Sequence, residues 1–150
     1  MRLVIQRVTR ASVEVDEAEV SRIRNGLLIL VGVEEGDSPN DAEWLASKTA
    51  NMRIFDDEAG VMNLSLLAIG GEALAVSQFT LTASTRKGNR PSYIRAAGHG
   101  LAVPLYERFC ASLSSIIRKE VKKGVFGAHM KVSLVNDGPV TIIIDSRLRE

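Results

Sequence analysis

Six residues near the far end of the chain, Asn136-Asp137-Gly138-Pro139-Val140-Thr141, restrict its fold more than any other stretch. They lie between two short apolar runs, residues 131–135 and 140–144, whose branched side chains mark both as strands. A proline has no N–H for a central ladder, so Pro139 belongs at an edge, at a bulge or at the first residue of a strand. Gly138 opens backbone angles closed to other residues, and a Gly-Pro bond has access to the cis form. The simplest local reading of Asn-Asp-Gly is a turn closing a hairpin between the two runs.

A second stretch has a similar mixture of apolar and unusual polar residues. Residues 74–82 read Leu-Ala-Val-Ser-Gln-Phe-Thr-Leu-Thr, an apolar strand whose end carries Ser77, Gln78, Thr80 and Thr82. Patterning alone also fits Phe79 as a core side chain and both threonines as ordinary strand residues. A polar loop over residues 82–100 follows, with Arg86, Lys87, Arg90 and Arg95. It is longer than the usual structureless connection, which favours a working loop over a linker.

Composition limits what these stretches contact. The 150 residues are 45% hydrophobic and 25% charged, which fits one domain over residues 1–150 with a modest core and argues against disorder. Nineteen Lys and Arg against eighteen Asp and Glu leave a formal charge of +1, so any nucleic-acid contact must come from a local patch. The single cysteine, Cys110, has no internal disulfide partner, and no charged start leads into an apolar leader. The longest apolar run, residues 26–33, is too short to span a membrane. The expectation is a cytoplasmic protein with no membrane partner.

Taken in order, residues 3–8 and 11–15 read as two strands, and residues 20–23 continue a meander. Asn25-Gly26 is a hairpin turn signal before residues 27–33, an apolar strand expected to be central and covered on both faces. Ser38-Pro39 opens a helix with Asp41 three residues past the cap, and Ala42, Leu45, Ala46, Thr49 and Met52 share its inner face. Ile54-Phe55 is a short strand, and Asp56, Asp57 and Glu58 read as a solvated turn because their spacing lacks the alternating ligands of a calcium loop. Residues 101–118 form a second helix with Leu105, Phe109, Leu113, Ile116 and Ile117 inward, and Pro104 in its first turn. Cys110 beside that face reads as a buried, inert thiol. The order predicts a mixed α/β domain with a mostly antiparallel sheet and two main helices.

Familiar catalytic sets are absent. The two histidines, His99 and His129, have no ligand spacing for zinc, and Ser77 lacks the Gly-x-Ser-x-Gly elbow of a nucleophile. Neither a Gly-rich dinucleotide fingerprint nor a phosphate-cradling loop follows a strand. No metal and no cofactor are expected.

The two stretches together resemble the paired signatures of the D-aminoacyl-tRNA deacylases, a Ser-Gln-Phe-Thr run and a Gly-cisPro dipeptide. The resemblance runs the length of the chain. It includes Gln6-Arg7-Val8 with Ala11-Ser12-Val13, the Gly70-Gly71-Glu72 step, Thr85-Arg86-Lys87-Gly88-Asn89-Arg90-Pro91-Ser92, Phe126-Gly127-Ala128 and Met130-Lys131-Val132. Ser84 and His129 stand where the family pattern has an acid, His99 where it has proline and Tyr93 where it has phenylalanine. These departures read as peripheral to the signatures.

The resemblance implies hydrolysis of the ester between a D-amino acid and the terminal adenosine of tRNA, and of glycyl-tRNA as well. It makes the backbone N–H groups of Phe79 and Thr80 the oxyanion donors, with the adenosine's 2′-hydroxyl helping to activate water. Ser77 and Gln78 would hold the substrate. Gly138 and Pro139 would enter the partner's pocket in a homodimer and exclude L side chains, with Arg7 and Asn136 as supports. Arg86, Lys87 and Arg90 would meet RNA phosphates. The alternative from another class is a non-catalytic tRNA-binding homodimer that uses the same basic loop.

Overall fold

The computed structural model describes residues 1–149. Its largest element is a six-stranded sheet in the order β2 (Ala18–Ile23), β1 (Arg2–Val15), β3 (Gly26–Gly32), β6 (Glu72–Ser77), β7 (Lys122–Lys123), with β8 (Lys131–Asp145) on the other side of β1. Strand β1 (Arg2–Val15) is a single strand of 14 residues, joining the two separate strands expected from the sequence. β2 (Ala18–Ile23) and β3 (Gly26–Gly32) both run antiparallel to it, β2 along its second half and β3 along its first. The chain therefore continues in one direction through Asn25-Gly26, and the expected hairpin there does not form. The reversal is at Asp16 and Glu17, both with positive φ.

Gly26 has a different task. A Cβ built on it would lie 1.8 Å from the carbonyl oxygen of Glu72, because β6 (Glu72–Ser77) pairs in parallel with β3 and begins opposite this residue. The glycine permits close backbone approach rather than a turn. β3 is central, as expected, with β1 on one side and β6 on the other, and β7 (Lys122–Lys123) extends the sheet beyond β6.

Helix α1 (Pro39–Asn51) begins where the sequence places it. The Asp41 carboxylate accepts from the Ser38 N–H at 2.8 Å and from the Ser38 hydroxyl at 2.7 Å. Ala42, Leu45, Ala46 and Thr49 are buried, with Ala50 completing the face. The ribbon β4 (Arg53–Asp56) and β5 (Met62–Ser65) and the one-turn helix α2 (Leu66–Ile69) follow. Asp57 accepts from the N–H groups of Ala59 and Val61, so it shapes the turn between these strands.

Helix α3 (His99–Ile117) starts two residues before the expected position, capped by Gly98, so Pro104 lies past its first turn. Phe109, Leu105 and Leu113 meet Leu45 and the inner faces of β1, β3 and β6. Each such buried side chain contributes about 1.5–3 kcal/mol. A smaller cluster of Val8, Ala11, Val13, Leu28, Leu74 and Val76 fills the other face of the curved sheet, joined by Val132 and Leu134. Cys110 is buried, and burial first, then the Glu107 charge, push its thiol up to about 12. It is protonated and inert at neutral pH.

β8 (Lys131–Asp145) carries the six residues that opened the sequence analysis. Both of its halves run antiparallel to β1 in the same direction, from Lys131 opposite Glu14 to Asp145 opposite Arg2. The expected hairpin is therefore a bulge, in which residues 137–140 leave the ladder between Asn136, opposite Val8, and Thr141, opposite Gln6. Pro139 thus occupies one of the places open to a residue without an N–H.

Two outcomes follow. Gly26→Ala should cost about 3 kcal/mol or more in urea unfolding, because backbone rather than a flexible side chain obstructs the methyl group. At Asp41, burial would raise the pKa, but hydrogen bonds from Ser38 and Ser146 outweigh it and hold the carboxyl at about 2. The folded value lies below the unfolded one, so the stability it contributes is complete above the unfolded pKa and is lost as pH falls toward about 2. Asp41→Asn should flatten that part of the stability-pH curve.

Candidate active site

The site begins where β6 stops. Ser77 is opposite Val31 in the parallel pairing, and the Gln78 N–H donates to the Val31 carbonyl at 2.8 Å. The chain then folds into a 3-10 turn, Phe79–Thr82, rather than continuing as the strand the sequence suggests. Gly32 permits this. A Cβ there would lie 2.9 Å from the Leu81 Cβ, so the turn packs directly on the end of β3. A glycine interrupting an apolar strand was the available signal for this contact.

Inside the turn, the Leu81 N–H donates to the Gln78 carbonyl and the buried Thr82 hydroxyl donates to the Phe79 carbonyl. The N–H groups of Phe79 and Thr80 have no protein acceptor among the described residues, as the first donors of a helical turn commonly do not. Gln78 Nε2 donates to the Thr80 hydroxyl oxygen at 2.5 Å, which leaves the hydroxyl hydrogen available to a ligand. Phe79 is 58% exposed, so it is not a core residue.

Ser77, Gln78 and Phe79 line one side of a cavity of about 600 Å³. Val31, Val33 and Val76 come from the sheet, Ala102 and Tyr106 from α3, and residues 126–130 close the far wall. The Phe126 ring packs edge-on against both Tyr106 and His99, at 5.7 and 5.5 Å. The Tyr106 hydroxyl is occupied by the Ala75 carbonyl at 2.9 Å, and burial, the largest cause, raises its pKa. Among the described residues, no carboxylate lines the cavity. His99 and His129 both do, so two departures from the family pattern that read as peripheral belong to the pocket wall. Among the described residues no three His, Cys, Asp or Glu side chains converge on a metal position.

The bulge is a separate structure. The Gly138-Pro139 peptide is cis, and Gly138 has φ 127°, a conformation that favours glycine. Arg7 holds its base. The side chain is only 8% exposed, its Nε donates to the Asp137 carbonyl at 3.0 Å, and its Nη1 donates to the Ile54 carbonyl at 2.8 Å. Asp56 lies 3.3 Å from the same Nη1, so one of the three clustered acids supports this arginine. Asn136 accepts from the Val140 N–H through Oδ1 and donates to the Thr141 hydroxyl through Nδ2, closing the bulge from within. Gly138 and Pro139 are exposed and do not line the cavity of their own chain. Ser77, Gln78, Phe79 and Thr80 are thus brought together, while Gly138 and Pro139 stand apart from them.

The loop after the 3-10 turn is anchored rather than free. Ser84 and Ser92 exchange backbone hydrogen bonds of 2.8 and 2.9 Å, and the Ala97 N–H returns to the Val33 carbonyl. Arg95 donates to the Thr82 carbonyl and lies 3.8 Å from the buried Glu34, which makes it a brace. Arg86, Lys87 and Arg90 are exposed and form no ion pair among the described residues.

A family model described as D-Tyr-tRNA(Tyr) deacylase matches residues 4–145. The chain is 63% identical over 150 residues to a D-aminoacyl-tRNA deacylase of Porphyromonas gingivalis and 59% identical to that of Bacteroides thetaiotaomicron, covering all of each protein. Among solved structures, one titled c-Myc DNA Unwinding Element Binding Protein superposes with a TM-score of 0.92 at 39% identity, over 97% of this chain and 98% of that one. Another, a probable eukaryotic D-amino acid tRNA deacylase, shares the fold with a TM-score of 0.82 at 17% identity, over 95% and 97% of the two chains. These matches make the protein a hydrolase. The chain belongs to the D-aminoacyl-tRNA deacylase family.

Replacing Arg7 tests the support of the bulge. Arg7→Met leaves two carbonyls without their donor and should lower stability by about 2–3 kcal/mol in urea unfolding. Arg7→Lys should recover only part of this, because one ammonium does not reproduce a fork that spans Ile54 and Asp137.

Proposed function

We propose that this chain hydrolyses the ester joining a D-amino acid to the terminal adenosine of tRNA, releasing free D-amino acid and tRNA, and that it removes glycine from tRNA in the same way. The observation that supports this reading is the pair of unengaged N–H groups at Phe79 and Thr80, in a turn whose Ser77, Gln78 and Phe79 line a largely apolar cavity. Water adds to the ester carbonyl, and negative charge develops on the carbonyl oxygen. Two fixed donors aimed at that position favour the tetrahedral state over the planar ester. Collapse of the intermediate breaks the bond to the 3′ oxygen, which leaves with a proton.

The base is supplied by the RNA, as the family resemblance implies. The adenosine's own 2′-hydroxyl orients and helps activate the water, while Ser77 and Gln78 hold substrate. Arg86, Lys87 and Arg90 meet acceptor-end phosphates, since such contacts need charge rather than shape.

Chirality is read by a second copy. Gly138 and Pro139 are held by Arg7 yet lie outside their own cavity, which fits a two-fold homodimer in which each turn enters the partner's pocket. The turn's carbonyls then accept from the substrate's α-amino group and leave no room for a side chain of L configuration. Selectivity of this kind works by exclusion, so glycine passes.

The test is hydrolysis of matched D-, L- and glycyl-tRNA by purified protein, with D and glycyl substrates cleaved and L spared. Thr80→Ala should keep activity within about ten-fold, whereas Thr80→Pro, which deletes the N–H, should lose roughly 100-fold or more. Salt-dependent tRNA binding without ester cleavage would instead favour the non-catalytic module. A bound substrate analogue whose carbonyl oxygen lay far from both nitrogens would remove the oxyanion assignment.

A further inference from the structure

We propose that Tyr93, set against Phe79 at the mouth of the cavity, is a stacking platform for the base of the nucleotide that precedes the terminal adenosine. The inference rests on the reading of the cavity as the site for that adenosine.

Phe79 lines the cavity, but Tyr93 does not. The two rings meet edge to face with centroids 5.1 Å apart at 68°, so Tyr93 extends the aromatic surface outward from the pocket. Both are exposed, at 58% and 41%, and the next residue, Ile94, is 87% exposed. Two exposed aromatic rings in contact, with an exposed isoleucine next in the chain, mark a contact surface.

Charge identifies what it contacts. Residues 83–98 contain four cations, Arg86, Lys87, Arg90 and Arg95, and no Asp or Glu. Arg95 is engaged with Thr82 and Glu34, which leaves three cations in this loop without an ion pair among the described residues. An aromatic surface beside cations and without carboxylates suits a single-stranded polyanion whose bases present π faces. It is a poor match for an acid-poor protein face or a neutral ligand.

The platform is also held in place. The Glu35 N–H donates to the Arg95 carbonyl at 3.0 Å, Ala97 returns to Val33, and Ser84 pairs with Ser92 across the loop. A base laid on Tyr93 therefore needs little further ordering of the protein, and this lowers the entropic cost of binding. Stacking is tolerant of base identity, so the platform should sense whether a base is present rather than which one it is.

The experiment uses full-length D-aminoacyl-tRNA, either normal or abasic at the nucleotide before the terminal adenosine, with the wild type, Tyr93→Ala and Tyr93→Phe. Tyr93→Ala should raise KM roughly 5- to 150-fold with kcat changed by less than about two-fold, and Tyr93→Phe should restore the wild-type KM. The abasic substrate should impose the same loss on the wild type and almost none beyond it on Tyr93→Ala.

A Tyr93→Ala penalty that persists in full on the abasic tRNA would overturn the proposal, because Tyr93 would then only prop Phe79. A kcat loss with KM unchanged would do the same, and so would a shift in sedimentation showing that the ring belongs to an interface between copies. If the wild type cleaves neither tRNA, the deacylase reading fails by itself. Equilibrium binding of uncharged normal and abasic tRNA then decides the platform by the same double comparison.

Discussion

The guanidinium of Arg7 occupies the gap where β8 leaves β1, and much of what is distinctive about the fold depends on it. Between Thr141 and Asn136 the ladder has no cross-strand partners to hold residues 137–140. Arg7 replaces them with a bond to the Asp137 carbonyl and ties the same point to the β4–β5 ribbon through Ile54. A buried arginine that satisfies two carbonyls is far costlier to remove than an exposed ion pair of the same geometry, since the carbonyls are left without partners. The bulge is consequently a fixed projection from the sheet rather than a mobile loop.

The cavity is built by a different principle, close backbone approach. Gly26 allows β6 to pair against β3, and Gly32 allows the 3-10 turn to lie on the end of β3. Leaving the sheet there frees the Phe79 and Thr80 N–H groups from the ladder, with Phe79 on the cavity lining and Thr80 just outside it. A strand continuing through Thr82 would have aligned those donors with the sheet. In the proposed division of labour, chemistry takes place at the cavity and exclusion at a turn supplied by a second copy.

The departures from the family pattern divide along the same lines. His99 and His129 enter the cavity wall, Tyr93 extends the aromatic surface beyond it, and Ser84 helps to close the loop that carries the cations. Read along the chain, they are scattered. Their grouping around one site comes from the packing of α3 and the loop against the ends of β3 and β6.

Much was legible in the residues themselves. The helix start at Ser38-Pro39 and its buried face, the central position of β3, the inert Cys110 and the exclusion of Pro139 from a regular ladder all follow from backbone chemistry and local periodicity. The full-length resemblance, not periodicity, singled out Ser77, Gln78, Phe79, Thr80, Gly138 and Pro139 as expected site residues; in the fold Ser77, Gln78 and Phe79 line the cavity, while Gly138 and Pro139 stand apart from it. Tertiary structure decided the direction of the chain at both apparent turns. Asn25-Gly26 and Asn136-Asp137-Gly138 have turn-forming composition, yet β1 is long enough to pair with both flanks of each, and a continuous ladder outweighs a local turn preference. It also separated Arg95 from the other loop cations, because its partner Glu34 is distant in sequence and adjacent only in the fold. Local composition specifies which backbone conformations a segment tolerates, and long-range pairing selects among them.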